Sequence, residues 1–223
     1  MTYRGKIYSH IIILSLLVLT LLSPDLIKGQ SFGQNKVNYD DFDWKYIQSV
    51  NFDVYYYGNA RELAIFTAET AERALYQISN EINWKLGHRI RLIVYQSHND
   101  FQQTNVTTSY LPEGVGGFTE LFKNRIVVPF EGDYEQFRHV IHHELIHGMM
   151  NDFLYGGSLQ NALLNRTVGM PLWMSEGFAE HSSSYWDTKA DMTMRDIVQN
   201  VTVPNLNQLN GYLAYKGGQS VWK

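Results

Sequence analysis

The chain has 223 residues, a formal net charge of −4, 14% aromatic side chains and no cysteine. The acidic balance, with no basic run after residue 29, gives nucleic-acid binding no compositional support. The missing thiols exclude disulfides, thiolate metal ligands and a cysteine nucleophile.

Residues 1–29 carry the pattern of an export signal. Arg4 and Lys6 precede an apolar run from Ile11 to Leu22, and Pro24, Asp25 and the small Gly29 follow it. That run is shorter than the ~20 residues a helix needs to span a bilayer. The expected location is therefore the periplasm or the cell exterior, with no stable membrane span once the signal is removed; the alternative is an uncleaved anchor. Residues 30–223 are expected to form one domain large enough for a sizeable core.

Tyr39 to Tyr57 is crowded with aromatic residues, and Phe52–Tyr57 (FDVYYY) is rich in strand formers, so a strand is expected there. Its rings fit sheet packing better than a sugar-binding platform. Asn59 to Leu86 repeats Leu63, Phe66, Ala71, Ala74, Ile78 and Ile82 at helical spacing and predicts one long helix, with Thr67 on the same stripe. Arg89–Tyr95 predicts a second strand and Asp100–Asn105 a short helix, followed by a Gly/Pro loop at Leu111–Gly117. Phe118–Leu121 and Arg125–Phe130 are expected to pair as a hairpin whose edge is suited to an extended peptide. The order is that of an α+β fold, with a small mixed sheet, a long helix and a helical C-terminal half.

The next stretch holds the chemistry. Phe137 to Asp152 reads FRHVIHHELIHGMMND. Phe137, Ile141, Leu145 and Gly148 recur at helical spacing, and Asp133 is a plausible N-cap for the helix they predict. Within it lies the pattern H-E-x-x-H, His143-Glu144-Leu145-Ile146-His147. Residues four apart share a face, about 6 Å apart along the axis, so both imidazoles reach one ion. Zinc suits them. Glu144, one step from His143, is placed to take a proton from water rather than to ligate. His139 lies about 12 Å along the axis from His147 and His142 is rotated about 100° from His143, so neither is a good third ligand. The extended pattern with a third histidine is excluded, because Met150 and Phe153 stand where it needs Gly and His.

The third ligand is therefore expected from another element, and Pro171 to Glu180 (PLWMSEGFAE) is the best offer. Glu176 and Glu180 lie four apart on one helix face. Either carboxylate suits zinc, and the other suits the free N–H of a ligand histidine.

HELIHG followed by WMSEGFAE resembles the gluzincin metallopeptidases. That resemblance implies a zincin-like fold, Glu176 as third zinc ligand beside His143 and His147, and a peptide or protein substrate. The segment Tyr212-Leu213-Ala214-Tyr215-Lys216-Gly217-Gly218 is similar to a Y-x-x-G segment of the same group. It implies Tyr215, or in competition Tyr212, as hydrogen-bond donor to the oxyanion. Two departures stand out. Twenty-eight residues separate His147 from Glu176, longer than in the aminopeptidase branch. Thr119 also stands where that branch has an amine-gripping glutamate, with Glu120 one step later. The chain, including residues 32–47, is most similar to the peptidase-MA-like domain of exported Bacteroidetes proteins. In these a TolB-like β-propeller follows, which implies a C-terminally incomplete domain ending in a helix at Gly211–Lys223.

The expected function is zinc-dependent peptide-bond hydrolysis, with Glu144 as general base and Tyr215 stabilising the oxyanion. The rival is a peptide- or glycan-binding module with a vestigial zinc site, and a third possibility is a hydrolase of non-peptide bonds.

Overall fold

A computed structural model describes residues 40–107, 111–120, 123–156, 169–200 and 202–223. The export signal expected at 1–29 and residues 32–39 of the 32–47 segment lie outside the described residues, as does most of the connector between the two motif helices.

Five strands form one sheet in the order β1-β2-β3-β5-β4. They are β1 (Trp44–Gln48), β2 (Phe52–Tyr57), β3 (Ile90–Tyr95), β4 (Phe118–Glu120) and β5 (Arg125–Pro129). β2, β3 and β5 run parallel, while β1 and β4 pair antiparallel at the two edges. The sheet is mixed, as expected, and the hairpin of β4 and β5 forms one of its edges.

Helix α1 (Arg61–Glu81) connects β2 to β3. Its buried stripe, Leu63, Ala64, Ala71, Leu75 and Ile78, packs on the inner side chains of the sheet, among them Val54, Leu92 and Ile126. Small residues let helix and sheet approach closely. Thr67 is buried on that stripe because its hydroxyl donates to the Leu63 carbonyl at 2.8 Å. The helix is shorter than the predicted Asn59–Leu86. Asn83 takes a left-handed conformation (φ 50°) that ends the helix, and Trp84 and Leu86 turn back onto the core. Strand β1 was not expected. Four of its five residues are exposed, so it carries no burial pattern for a sequence to show.

Helix α2 (His98–Gln102) is capped by Ser97, whose side chain accepts from Asp100 N. Helix α3 (Tyr134–Tyr155) carries the H-E-x-x-H pattern. Asp133 caps it as predicted, accepting from the N–H groups of Glu135 and Gln136. Gly156 closes it in the left-handed region (φ 57°), its N–H donating to the Asp152 carbonyl at 2.8 Å. Phe137, Ile141, Leu145, Ile146 and Met149 bury α3 in the same core as α1. The buried Asp152 carboxylate accepts from Trp84 Nε1 at 2.9 Å and so ties the end of α3 to the turn after α1.

The rest is helical: α4 (Leu172–Ser183), α5 (Thr188–Asn200), a 3₁₀ turn (Leu206–Gln208), a π-helical turn (Leu213–Gly217) and α6 (Gly218–Trp222). Pro171 is the cap of α4 rather than its first residue. The overall arrangement is the α+β one that the sequence predicts. No helix among the described residues is long and apolar enough to cross a membrane.

Candidate metal centre

Three elements converge beside β4. Helix α3 contributes His143 and His147, α4 contributes Glu176 and Glu180, and the π turn contributes Tyr215 and Lys216. The crossing of α4 with the C-terminal segment is very close. A Cβ on Gly177 would lie 2.3 Å from the Gly218 carbonyl carbon, and one on Gly218 would lie 2.1 Å from the Trp173 oxygen. Both contacts are with backbone, so only glycine fits at either position.

His143 Nε2 lies 3.2 Å from His147 Nε2 and 3.2 Å from Glu176 Oε2, and His147 Nε2 lies 3.3 Å from the same oxygen. The three atoms form a nearly equilateral triangle. Donors arranged tetrahedrally around zinc at ~2.0–2.1 Å stand about 3.3–3.4 Å apart. The triangle therefore has the dimensions of three zinc ligands, and two imidazoles with one carboxylate are a donor set that zinc takes. Each ring nitrogen can instead donate a proton to the carboxylate, but two N–H groups then crowd each other at 3.2 Å. A cation at the centre satisfies all three atoms at once. These residues thus form a cluster able to hold a metal ion.

A second group shares His143. Glu180 Oε1 lies 3.2 Å from His143 Nδ1 and 3.3 Å from His139 Nε2, while Glu180 Oε2 accepts from Lys216 Nζ at 2.6 Å. The His143–Glu180 approach has ion-pair distance without hydrogen-bond alignment. Although these donors also fall within reach of one ion, the ammonium already compensates the Glu180 charge. The arrangement suits a mount instead: Glu180 faces Nδ1 and leaves Nε2 to the triangle. Lys216 is itself held by Gln219 Oε1 at 3.1 Å, and the buried Gln219 amide donates to the backbone oxygens of Glu180 and Ser184.

The electrostatics follow from this packing. Burial works against a charge on His143, but Glu176 and Glu180 on its two nitrogens outweigh it and push the ring up to about 9. Burial likewise opposes ionised Glu176, yet His143 and His147 hold it down to about 2. Glu180 is pushed well below the usual carboxylate range by His139, His143 and Lys216, against its burial. His142 points elsewhere; burial first, then its histidine neighbours, lower it to about 4.

Glu144 is buried on the β4 side. Thr119 Oγ1 lies 2.8 Å from its Oε2 and 2.7 Å from its backbone oxygen, so the one hydroxyl proton serves one acceptor at a time. Gly117 allows this close approach, since a Cβ there would stand 3.2 Å from Glu144 Cγ. Tyr215 stacks on His143 with ring centroids 5.8 Å apart and planes at 13°. Burial, then Glu176 and the other carboxylates, push its phenol above the ordinary range, so the hydroxyl keeps its proton. Tyr212, the competing tyrosine, is 47% exposed and does not line the hollow.

Thr119, His143, Glu144, His147, Glu176 and Tyr215 line one open hollow of about 520 Å³. The structure thus brings together His143, Glu144, His147, Glu176 and Tyr215. Reading the sequence missed Lys216, Gln219 and the Gly177–Gly218 contact. Lys216 lies beside Tyr215 in the chain, but no spacing rule joins it to Glu180, 36 residues away.

If Glu180 is the mount for His143, Glu180→Ala should weaken zinc binding about 10–100-fold. Competition with a calibrated chelator measures this, and unchanged affinity would remove Glu180 from the account.

The chain matches no known family model and no curated protein. The functional reading therefore rests on the geometry of the site.

Proposed function

We propose that the chain is a zinc-dependent peptidase of the gluzincin kind, with His143, His147 and Glu176 as metal ligands. The observation that carries this reading is the ligand-sized triangle, flanked in one hollow by a buried carboxylate on Glu144 and a protonated phenol on Tyr215. When bound, zinc supplies Lewis acidity toward water and toward the substrate carbonyl.

The chain's own groups do the rest. Glu144 accepts a proton from the attacking water and passes it to the leaving amine. Thr119, 2.8 Å from Glu144 Oε2, is placed to orient the carboxylate when its hydroxyl proton is turned toward it. Tyr215 donates its hydroxyl to the oxygen that gains charge as the carbonyl carbon becomes tetrahedral. Glu180, braced by Lys216, fixes the His143 ring.

With this reading go three further elements: residues 1–29 as an export signal, residues 30–223 as a zincin-like domain, and a β-propeller following it, as in the proteins the sequence resembles.

Two measurements test the reading. Removing metal with a chelator should abolish peptide cleavage and zinc should restore it; zinc bound with no cleavage would favour the binding-module rival. Tyr215→Phe keeps the ring on His143, so zinc content should stay the same while kcat falls by about 10²-fold. An unchanged kcat would remove Tyr215 from the reaction.

A further inference from the structure

The wall of the hollow beyond His147 is mainly apolar, with Asn151 as a polar side chain among Met150, Leu154 and Tyr155. On α3 the stripe that carries His143 and His147 continues through Met150 and Leu154, three and seven residues past His147, and Tyr155 lies beside them. Leu154 is about 10 Å along the axis from His147. Met170, just before α4, closes the same wall. These four side chains are all only partly buried and line the hollow, Met150 also packing against the core.

A chain end is selected by a charge placed to meet it. Gripping a free N-terminus takes a spare carboxylate, and gripping a free C-terminus takes a cation. Among the described residues lining the hollow, the carboxylates are Glu144 and Glu176, engaged by Thr119 and by the two histidines, and no lysine or arginine is present. Glu120, the next carboxylate along β4, points to the opposite face from Thr119, where it pairs with Arg125 at 2.6 and 3.0 Å. Lys216 is bound to Glu180.

Building on the peptidase reading, we infer that the site cuts internal peptide bonds next to a bulky apolar residue. That residue's side chain lies against Met150, Leu154, Tyr155 and Met170. The substrate class is an unfolded or extended polypeptide rather than a free terminus.

The test uses the zinc-loaded full chain and a set of peptides blocked at both ends, with one position varied through Leu, Phe, Met, Ala, Asp and Lys. Cleavage sites are read by mass spectrometry, and binding of the same peptides is measured on Glu144→Gln. The expected result is cleavage of blocked peptides, with kcat/KM for Leu, Phe or Met beside the cut at least about tenfold above Asp or Lys. Leu154→Arg should reverse the order between Leu and Asp, and Leu154→Met should retain the wild-type order. Equal cleavage of all side chains, or cleavage confined to peptides with a free end, would overturn the inference. Apolar-selective binding without any cleavage would overturn the peptidase reading and leave the subsite standing. Neither selective binding nor cleavage would overturn both.

Discussion

Glu144→Gln is expected to abolish peptide hydrolysis, by at least about 10³-fold, while zinc stays bound. Glutamine has the shape of the glutamate it replaces and still accepts from Thr119 Oγ1, which lies 2.8 Å from the present carboxylate oxygen. The three ligand atoms belong to other residues, so the triangle is untouched. What disappears is proton affinity: an amide does not take a proton from water at neutral pH, and general-base assistance is worth about 10²–10⁴-fold. The check is zinc content and turnover measured on the same preparations. Full zinc with hydrolysis within tenfold of wild type would remove Glu144 from the mechanism.

The largest effect on stability is expected from Gly218→Ala, at about 3 kcal/mol or more. Its Cβ would lie 2.1 Å from the Trp173 oxygen and 2.8 Å from Gly177 Cα. A flexible side chain could swing away, but backbone within a helix cannot, so α4 and the C-terminal turn must separate. That separation also dismantles the site, because α4 carries Glu176 and Glu180 and the turn carries Tyr215 and Lys216. Urea unfolding and zinc content should fall together. Gly114→Ala is the control, since nothing lies within 4 Å of the added carbon and the change should stay within about 0.5 kcal/mol. A Gly218→Ala protein with wild-type unfolding and full zinc would contradict the close crossing.

Much of this was legible in the sequence because it depends on local periodicity. The face shared by His143 and His147, the Asp133 cap and the core stripe of α3 are all consequences of 3.6 residues per turn. The end of α1 was less legible. Ile82, Trp84 and Leu86 extend the apolar pattern past the helix, and a single left-handed Asn83 redirects the chain. Strand β1 was invisible because its mostly exposed residues have no buried face to record.

The assignment of the two glutamates depends on long-range geometry. Glu176 and Glu180 share a helix face, and periodicity cannot tell which one meets Nε2 of His143 and which meets Nδ1. The structure separates them by contact, with Glu176 3.2 Å from His143 Nε2, Glu180 3.2 Å from His143 Nδ1, and Lys216, which arrives from the C-terminal turn, 2.6 Å from Glu180. The two tyrosines are separated in the same way. The π turn directs Tyr215 onto the His143 ring and leaves Tyr212 half exposed. Thr119 and Glu120 are settled by strand alternation, once β4 is placed beside α3: one side chain reaches Glu144 and the other reaches Arg125.

The most direct test of the central claim is an anomalous difference map at the zinc absorption edge, from crystals of the full chain grown without chelator. One peak is predicted, about 2.0–2.1 Å from His143 Nε2, His147 Nε2 and a Glu176 oxygen. A map with no peak there, or with zinc on Glu180 and His139 instead, would contradict the account.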